Sequence, residues 1–447
     1  MEFFKRARNV LGLLAIATLV FAACATPDAP APAAPAPAAQ EAVTPITPEV
    51  PVVAPGEEIT LEFWSWRVED YDFYRAQFDI FEARNPGIRV NMTTIVAVEY
   101  NTMLISSLLG GAGPDVFKSR THGGLQAFTD TGYVLPLDGL LPELDAFSDH
   151  VLNGARSITT GNVYGVPAVS QVAFVFFNTD IYDELGLSIP QTWGEFLSNL
   201  QTIADAGITP IANGSHAAWT LEVMFAAVGP TFYGANYFFD RVMVGETTFE
   251  DPVFIAAIDR LNQLTPFMPP MFYGVEYTDS QVSFANGIGA HFIGGAFEAA
   301  NFLALNPDIN FDIFAVPGDN PGDPAYVSTW IDMNFSINVA TQHQEAALQL
   351  LRFLASQEFG QAVVNELSMI SSVPGVDVTG NPYIARVIEL QRNTTPNIFL
   401  VGFRFESPTG SAIFQPAVAE MLIGEITAAD VARQLMEGIS LYFEPFQ

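Results

Sequence analysis

The chain has 447 residues, 49% hydrophobic and only 15% charged, with 49 acidic against 17 basic side chains and a net charge of −32. Lysine occurs only at Lys5 and Lys118, so the imbalance is a shortage of cations rather than a set of acidic blocks. Such a balance argues against nucleic acid or an anionic membrane surface as partner, and a lone cysteine, Cys24, excludes an internal disulfide in the monomer.

Lys5, Arg6 and Arg8 precede an apolar run, Val10 to Val20, too short to span a bilayer comfortably. Ala22-Ala23-Cys24 follows, and a cysteine in that place resembles the lipobox of bacterial lipoproteins, whose thiol receives a diacylglycerol. Phe21 departs from the usual leucine. Residues 1–23 are read as a lipoprotein signal peptide, and 24–56 as a lipidated Cys plus a linker. The linker is rich in Ala and Pro, lacks apolar periodicity and suits an extended tether. No later stretch has 18 uninterrupted apolar residues, and the remaining length is enough for two domains.

From Ile59 the periods alternate. Ile59, Leu61 and Phe63 predict a strand, and Tyr74, Phe78 and Phe81 a helix face ended by Asn85-Pro86-Gly87. Ile88–Val96 predicts a second strand, Tyr100–Leu109 a second helix, and Gly110–Phe117 leads into a third strand. This is β-α-β-α-β, the start of a parallel sheet with ligands expected at the carboxyl ends of its strands.

Val169 to Phe177 is a β-branched and aromatic run of strand length, followed by capping oxygens on Asn178, Thr179 and Asp180. Thr192-x-x-Glu195 is a capping box opening a helix with Phe196, Leu197, Leu200 and Ile203 on one face. On pattern alone this is an ordinary strand-helix-helix segment. Further on, Gly207–Ile211 is strand-like, Leu221–Val228 helical, and the stretch up to Asp251 irregular. Phe254–Leu264 is helical, and Phe284–Glu298 is a Gly-rich strand and turn. Thr427-x-x-Asp430 caps a closing helix.

Tyr164-Gly-Val-Pro167, Phe176-Phe177-Asn178, Gly186, Pro190, Thr192-Trp193 and Glu195, with "ITLEFWSW", "FEARNPGIRV" and "GAGPDVF" earlier, resemble the family 1 extracellular solute-binding proteins of ABC importers. These are sugar-type receptors that include the maltose-binding proteins. The similarity runs from about Ile59 to Thr427. It implies an α/β, type II, two-lobe periplasmic-binding-protein-like fold, each lobe a mixed sheet flanked by helices and the two joined by three hinge crossings. Lobe 1 would be 57–168 and 319–358, and lobe 2 would be 169–318 and 359–447, with the second crossing near Phe314–Gly318 and the third after the helix Glu345–Ser356.

Position by position, the resemblance nominates ligand-binding residues. After the first strand come Trp66, Arg67 and Glu69, with Trp64 assigned to the core. After the third strand come Lys118, Arg120 and Thr121, with Asp115 a structural turn carboxylate. Gln171 stands where an acidic ligand-binding residue is common. Ser215 and His216 match a sugar-contacting loop, while Trp219 packs against its helix. Phe297 replaces the usual tryptophan before Glu298. Trp330 and Asp332 fall in a loop before the Phe335 strand, and Arg404 and Ser411 lie near the last helices. Flat aromatic faces suit the apolar side of pyranose rings, and planar polar groups suit vicinal hydroxyls.

The five histidines (His122, His150, His216, His291, His343) show no metal-ligand spacing, and no GxSxG, GxxxxGK[ST] or GxGxxG string occurs. No catalytic residue, metal or cofactor is therefore assigned. The expected function is a non-enzymatic ABC-importer receptor for a mono- or oligosaccharide. Its partners would be the permease transmembrane subunits and, through the lipid, the membrane; it would act as an extracytoplasmic monomer without nucleic acid. Four cations in presumed cleft loops, Arg67, Lys118, Arg120 and Arg404, suggest an acidic sugar as alternative to a neutral one. A lipid-anchored carbohydrate-active enzyme and a sensory or adhesive carbohydrate-binding module are the other readings.

Overall fold

The computed structural model describes residues 58–447; the leader, Cys24 and the Ala/Pro-rich segment lie outside the described residues. Its strands are β1 (Ile59–Ser65), β2 (Ile88–Thr94), β3 (Val116–Arg120), β4 (Val166–Asn178) and β5 (Thr209–Ile211). They continue with β6 (Gly289–Gly295), β7 (Phe311–Phe314), β8 (Val327–Ile337), β9 (Ile370–Ser371) and β10 (Thr394–Pro396).

β2 is an edge strand, and its alternation shows it: Ile88, Val90 and Met92 are buried while Arg89 and Asn91 face water. β1 lies between β2 and β3, parallel to both, as the β-α-β-α-β opening requires. β8 then runs antiparallel to β3, from Val116 opposite Ile337 to Arg120 opposite Met333. On its other side β8 meets only the first half of β4, Val166 to Val172.

From Ala173 onward β4 changes partners, pairing antiparallel with β6 and, from Val175, with β7; β5 adds parallel to β6. One unbroken strand, buried at all but Ser170, therefore serves two ladders. β8 exchanges partners too, since Val327–Thr329 pairs with β10 before its later residues reach β3. β7, which ends at Phe314, still belongs to the second ladder, and the chain next pairs with β3 through β8.

Aromatic side chains fill both cores. Phe63 on β1 meets Phe78 of the helix Tyr71–Arg84 at 5.0 Å, and that helix ends where Asn85 Nδ2 donates to the Phe81 carbonyl at 2.8 Å. In the second ladder Phe176 meets Phe302 at 5.2 Å, and Phe302 meets Phe284 at 4.6 Å. Each such pair adds roughly 0.5–1.5 kcal/mol beyond area burial. In the helix Gln357–Leu367, Phe359 packs 5.9 Å from both Phe73 and Phe335.

Caps set the helix starts. Asn178 Oδ1 accepts from the Ile181 amide at 3.0 Å, and Thr192 Oγ1 from the Glu195 amide at 3.1 Å. The Glu195 carboxylate reaches past Thr192 to the Gln191 amide at 2.7 Å, so this box is not reciprocal, whereas Thr427 and Asp430 form a reciprocal one. Two expectations change. The supposed irregular stretch before Asp251 contains a helix, Ala235–Met243, entered through Gly234 at φ 92° with no capping side chain. Trp330 and Asp332 lie within β8, and Lys118 and Arg120 within β3, not in loops. The glycine runs do serve turns and close packing: Gly111 has φ 66°, and a Cβ on Gly295 would come within 2.2 Å of the Phe297 ring.

Candidate functional site

The carboxyl end of β1 delivers Trp66 and Arg67 into the interior. Arg67 is buried and is held by Asp70 through two nitrogens and by Glu69 at 3.2 Å. Burial opposes its charge, but Asp70 and then Glu69 outweigh that and raise its pKa well above the ordinary value. Its guanidinium lies 5.7 Å from the centre of the Phe297 ring, just past β6. Trp219 reaches the same ring at 6.4 Å and meets Tyr277 edge-on at 4.8 Å.

Glu298 follows Phe297 and is 1% exposed. Its carboxylate accepts from Tyr277 Oη at 2.8 Å and Gln281 Nε2 at 2.7 Å, and burial pushes its pKa up to about 7. Arg67, Glu69, Phe297 and Glu298 are thus brought together from the two ladders. Ser215 and His216 lie at the margin: the Ser215 amide donates to Phe272 O at 2.9 Å, and exposed His216 pairs with Glu276 at 3.1 Å.

β3 contributes a row of cations. Lys118 is 0% exposed, with Nζ 3.8 Å from the Tyr74 ring centre and no hydrogen-bond partner; burial lowers its pKa to about 7. Arg120 lies 3.9 Å over Trp66, its Nε also without a partner. Burial and then Arg404 lower its pKa to about 10. One aromatic face expected to meet sugar is therefore covered by a guanidinium. Thr121 has a different role, donating at 2.5 Å to Ile331 O and tying β3 to β8.

On β8, Trp330 is 6% exposed and its Nε1 donates to Asp332 at 3.4 Å. Opposite Trp330 in the ladder stands Gln171, fully buried, with its Oε1 unpartnered and its Nε2 3.9 Å from Met369 Sδ. Arg404 packs over Gly124: a Cβ there would lie 3.4 Å from the Arg404 guanidinium and 2.6 Å from Arg120 Cβ. Beside Arg404, buried Glu222 accepts from Ser411 Oγ at 3.1 Å and Gln415 Nε2 at 2.7 Å, and its pKa is raised by burial. His122, in the left-handed region at φ 51°, is held near pKa 4 by burial and by Arg404.

Asp70, Glu222, Tyr277, Gln281 and Gln415 join the site without having been nominated. Glu222 has a visible signal, as the lone charge in the apolar helix Trp219–Tyr233; Asp70, next to Glu69, has none in a chain with 49 acidic side chains. Among the described residues no group of His, Cys, Asp or Glu side chains is arranged to hold a metal ion, and no helix is long and apolar enough to cross a membrane. What the arrangement offers is hydrogen bonding of both senses beside aromatic rings.

The family described as bacterial extracellular solute-binding protein matches residues 65–361. The multiple sugar-binding protein of Streptococcus mutans is 24% identical over 347 residues, spanning 76% of this chain and 78% of that protein. Among solved structures, a chitin oligosaccharide binding protein aligns with a TM-score of 0.74 at 20% identity, covering 85% of this chain and 98% of that one. An ABC transporter solute-binding protein of Thermotoga lettingae, bound with alpha-D-tagatose, reaches 0.73 at 17% identity, covering 87% and 100%. The fold is the type II, two-lobe fold of periplasmic sugar-binding proteins.

Proposed function

The chain belongs to the bacterial extracellular solute-binding proteins, and from that premise we propose that it is an ABC-importer receptor that captures a carbohydrate between two lobes and hands it, unaltered, to a membrane permease. The observation that carries this reading is the meeting of Arg67, which follows Trp66 at the end of β1, with Phe297 and Glu298, from the end of β6, beside Trp219. Pyranose rings need apolar faces and paired hydrogen-bonding groups together, and few other small solutes need both. The sugars bound by its relatives support the same class.

As a member of an extracellular family the protein works outside the cytoplasm. Cys24 carries the lipid that holds it at the membrane, and residues 24–56 give it reach. One lobe is built on β1 to β3 with the helices Tyr71–Arg84 and Gln357–Leu367, and the other on β5 to β7, with β4 and β8 passing between them. Ligand favours the closed arrangement because only that arrangement supplies contacts from both sides.

Thermal unfolding of the full chain against a panel of mono- and oligosaccharides tests this. A sugar held at 100 times its Kd stabilises by about 2.7 kcal/mol, a clear rise in Tm. The sugar is to be recovered intact by chromatography. No shift with any carbohydrate, or consumption of the one that binds, overturns the reading.

A further inference from the structure

We propose that the sugar taken by this site carries a carboxylate, seated between Arg120 and Arg404. The inference rests on the carbohydrate reading above and assigns the charge of the ligand.

With 49 acidic and 17 basic side chains, a cation in this chain finds a carboxylate easily. The ion pairs bear this out: every described cation outside β3 and the Arg404 loop is paired, apart from the exposed Arg392. Lys118, Arg120 and Arg404 enter no ion pair among the described residues, and neither Lys118 Nζ nor Arg120 Nε has a hydrogen-bond partner. They are also not scattered. Lys118 and Arg120 share one face of β3, two residues or roughly 6.6 Å apart. Arg120 and Arg404 both approach the single point above Gly124 where a side chain would begin, and a glycine there leaves room for both.

Two guanidinium groups side by side repel, and the described residues supply no bridging carboxylate within ion-pair distance. Glu222 acts on Arg404 and is held by Ser411 and Gln415; Asp332 acts on both guanidinium groups from beyond ion-pair distance, and Trp330 Nε1 already engages it. Trp66 supports Arg120 from one side only, at 3.9 Å, leaving the forked edge of the guanidinium to bond elsewhere. A planar carboxylate matches that edge in two parallel hydrogen bonds, whereas neutral hydroxyls leave the repulsion in place. Arg67 is the contrast within the same site, since Asp70 and Glu69 already satisfy it.

Calorimetry on the full chain in detergent decides the matter, using oligomers of glucuronate, galacturonate and mannuronate, each beside its neutral counterpart of equal length. We expect one uronate to bind at least tenfold more tightly than its counterpart, with affinity falling as salt rises. Arg404→Gln should lose at least tenfold for that uronate alone, and Arg404→Lys should recover part of it. Equal or tighter binding of the neutral sugar, or an equal loss for both sugars in Arg404→Gln, overturns the carboxylate while leaving the carbohydrate receptor standing. Binding of no sugar, acidic or neutral, removes both.

Discussion

The Lys118 side chain makes no hydrogen bond within the fold, since its ammonium meets an aromatic face and no acceptor. In the unfolded chain it titrates near 10.5, and in the fold near 7. Between those values the unfolded chain holds more protons, so stability rises with pH across that window, and below it the full penalty remains. Lys118→Met should therefore raise stability on the order of 2–4 kcal/mol at pH 6. Denaturant unfolding checks it: the gap should shrink towards zero near pH 10.5, and an equal gap at both pH values would mean packing, not charge. The same variant should bind the uronate more weakly, a trade of function against stability. Much of this cluster was legible residue by residue, because Trp66, Arg67 and Lys118 follow strand signals. Its acid half was less so: Asp70 lies only three residues from Arg67 but stands in no pattern that singles it out, and Glu222 takes its role from Ser411 and Gln415, remote in sequence.

At the scale of elements, short-range chemistry was readable and long-range pairing was not. Asn178, Thr192 and Thr427 announce helices because each cap acts on an amide only three residues away. Thr192→Ala should cost about 1 kcal/mol, within the usual 0.5–2 for a lost cap, read from equilibrium unfolding. Because Glu195 bonds Thr192 through its amide and Gln191 through its carboxylate, the losses in Thr192→Ala and Glu195→Gln should not simply add, which a double-mutant cycle read from equilibrium unfolding checks. The helix Ala235–Met243 escaped notice for want of such a cap. Trp330 and Asp332 were read as loop because β8 alternates poorly: Val327 and Ser328 are both buried, as are Trp330 and Ile331, since the strand borders two ladders in succession.

For the molecule as a whole, the β-α-β-α-β opening and the family resemblance fixed the class of architecture, while the sharing of β4 between ladders depends on a partner, β8, far along the chain. Under the proposed receptor reading, β4 offers the place for closure at Val172–Ala173, where it passes from β8 to β6. Small-angle scattering with and without a binding sugar should give a measurably smaller radius of gyration in its presence. Tight binding with superimposable curves would show a site that fills without any movement of the lobes. His291 reports on the second ladder independently: its Nδ1–H donates to Pro210 O at 2.8 Å and its Nε2 accepts from Tyr182 Oη at 2.7 Å, an arrangement only the neutral ring can make. With burial holding its pKa near 4, the unfolded chain takes up a proton first as pH falls below 6.5. Stability should accordingly fall between pH 6.5 and 4, and less steeply in His291→Gln, as followed by urea titrations across that range.

The placement of β8 also bears on how the chain must come together as it is made. β3 emerges with one flank bare, and the strand that covers it follows only about 200 residues later. Until then that flank is an open template for another chain, and its closure has the large sequence separation that slows assembly. A polypeptide that cannot finish its first half before its second has been synthesised stays loose for longer. Such a delay suits a product that must be threaded through a membrane before it condenses. Any truncation ending before Val327 should accumulate as aggregate rather than as half a receptor.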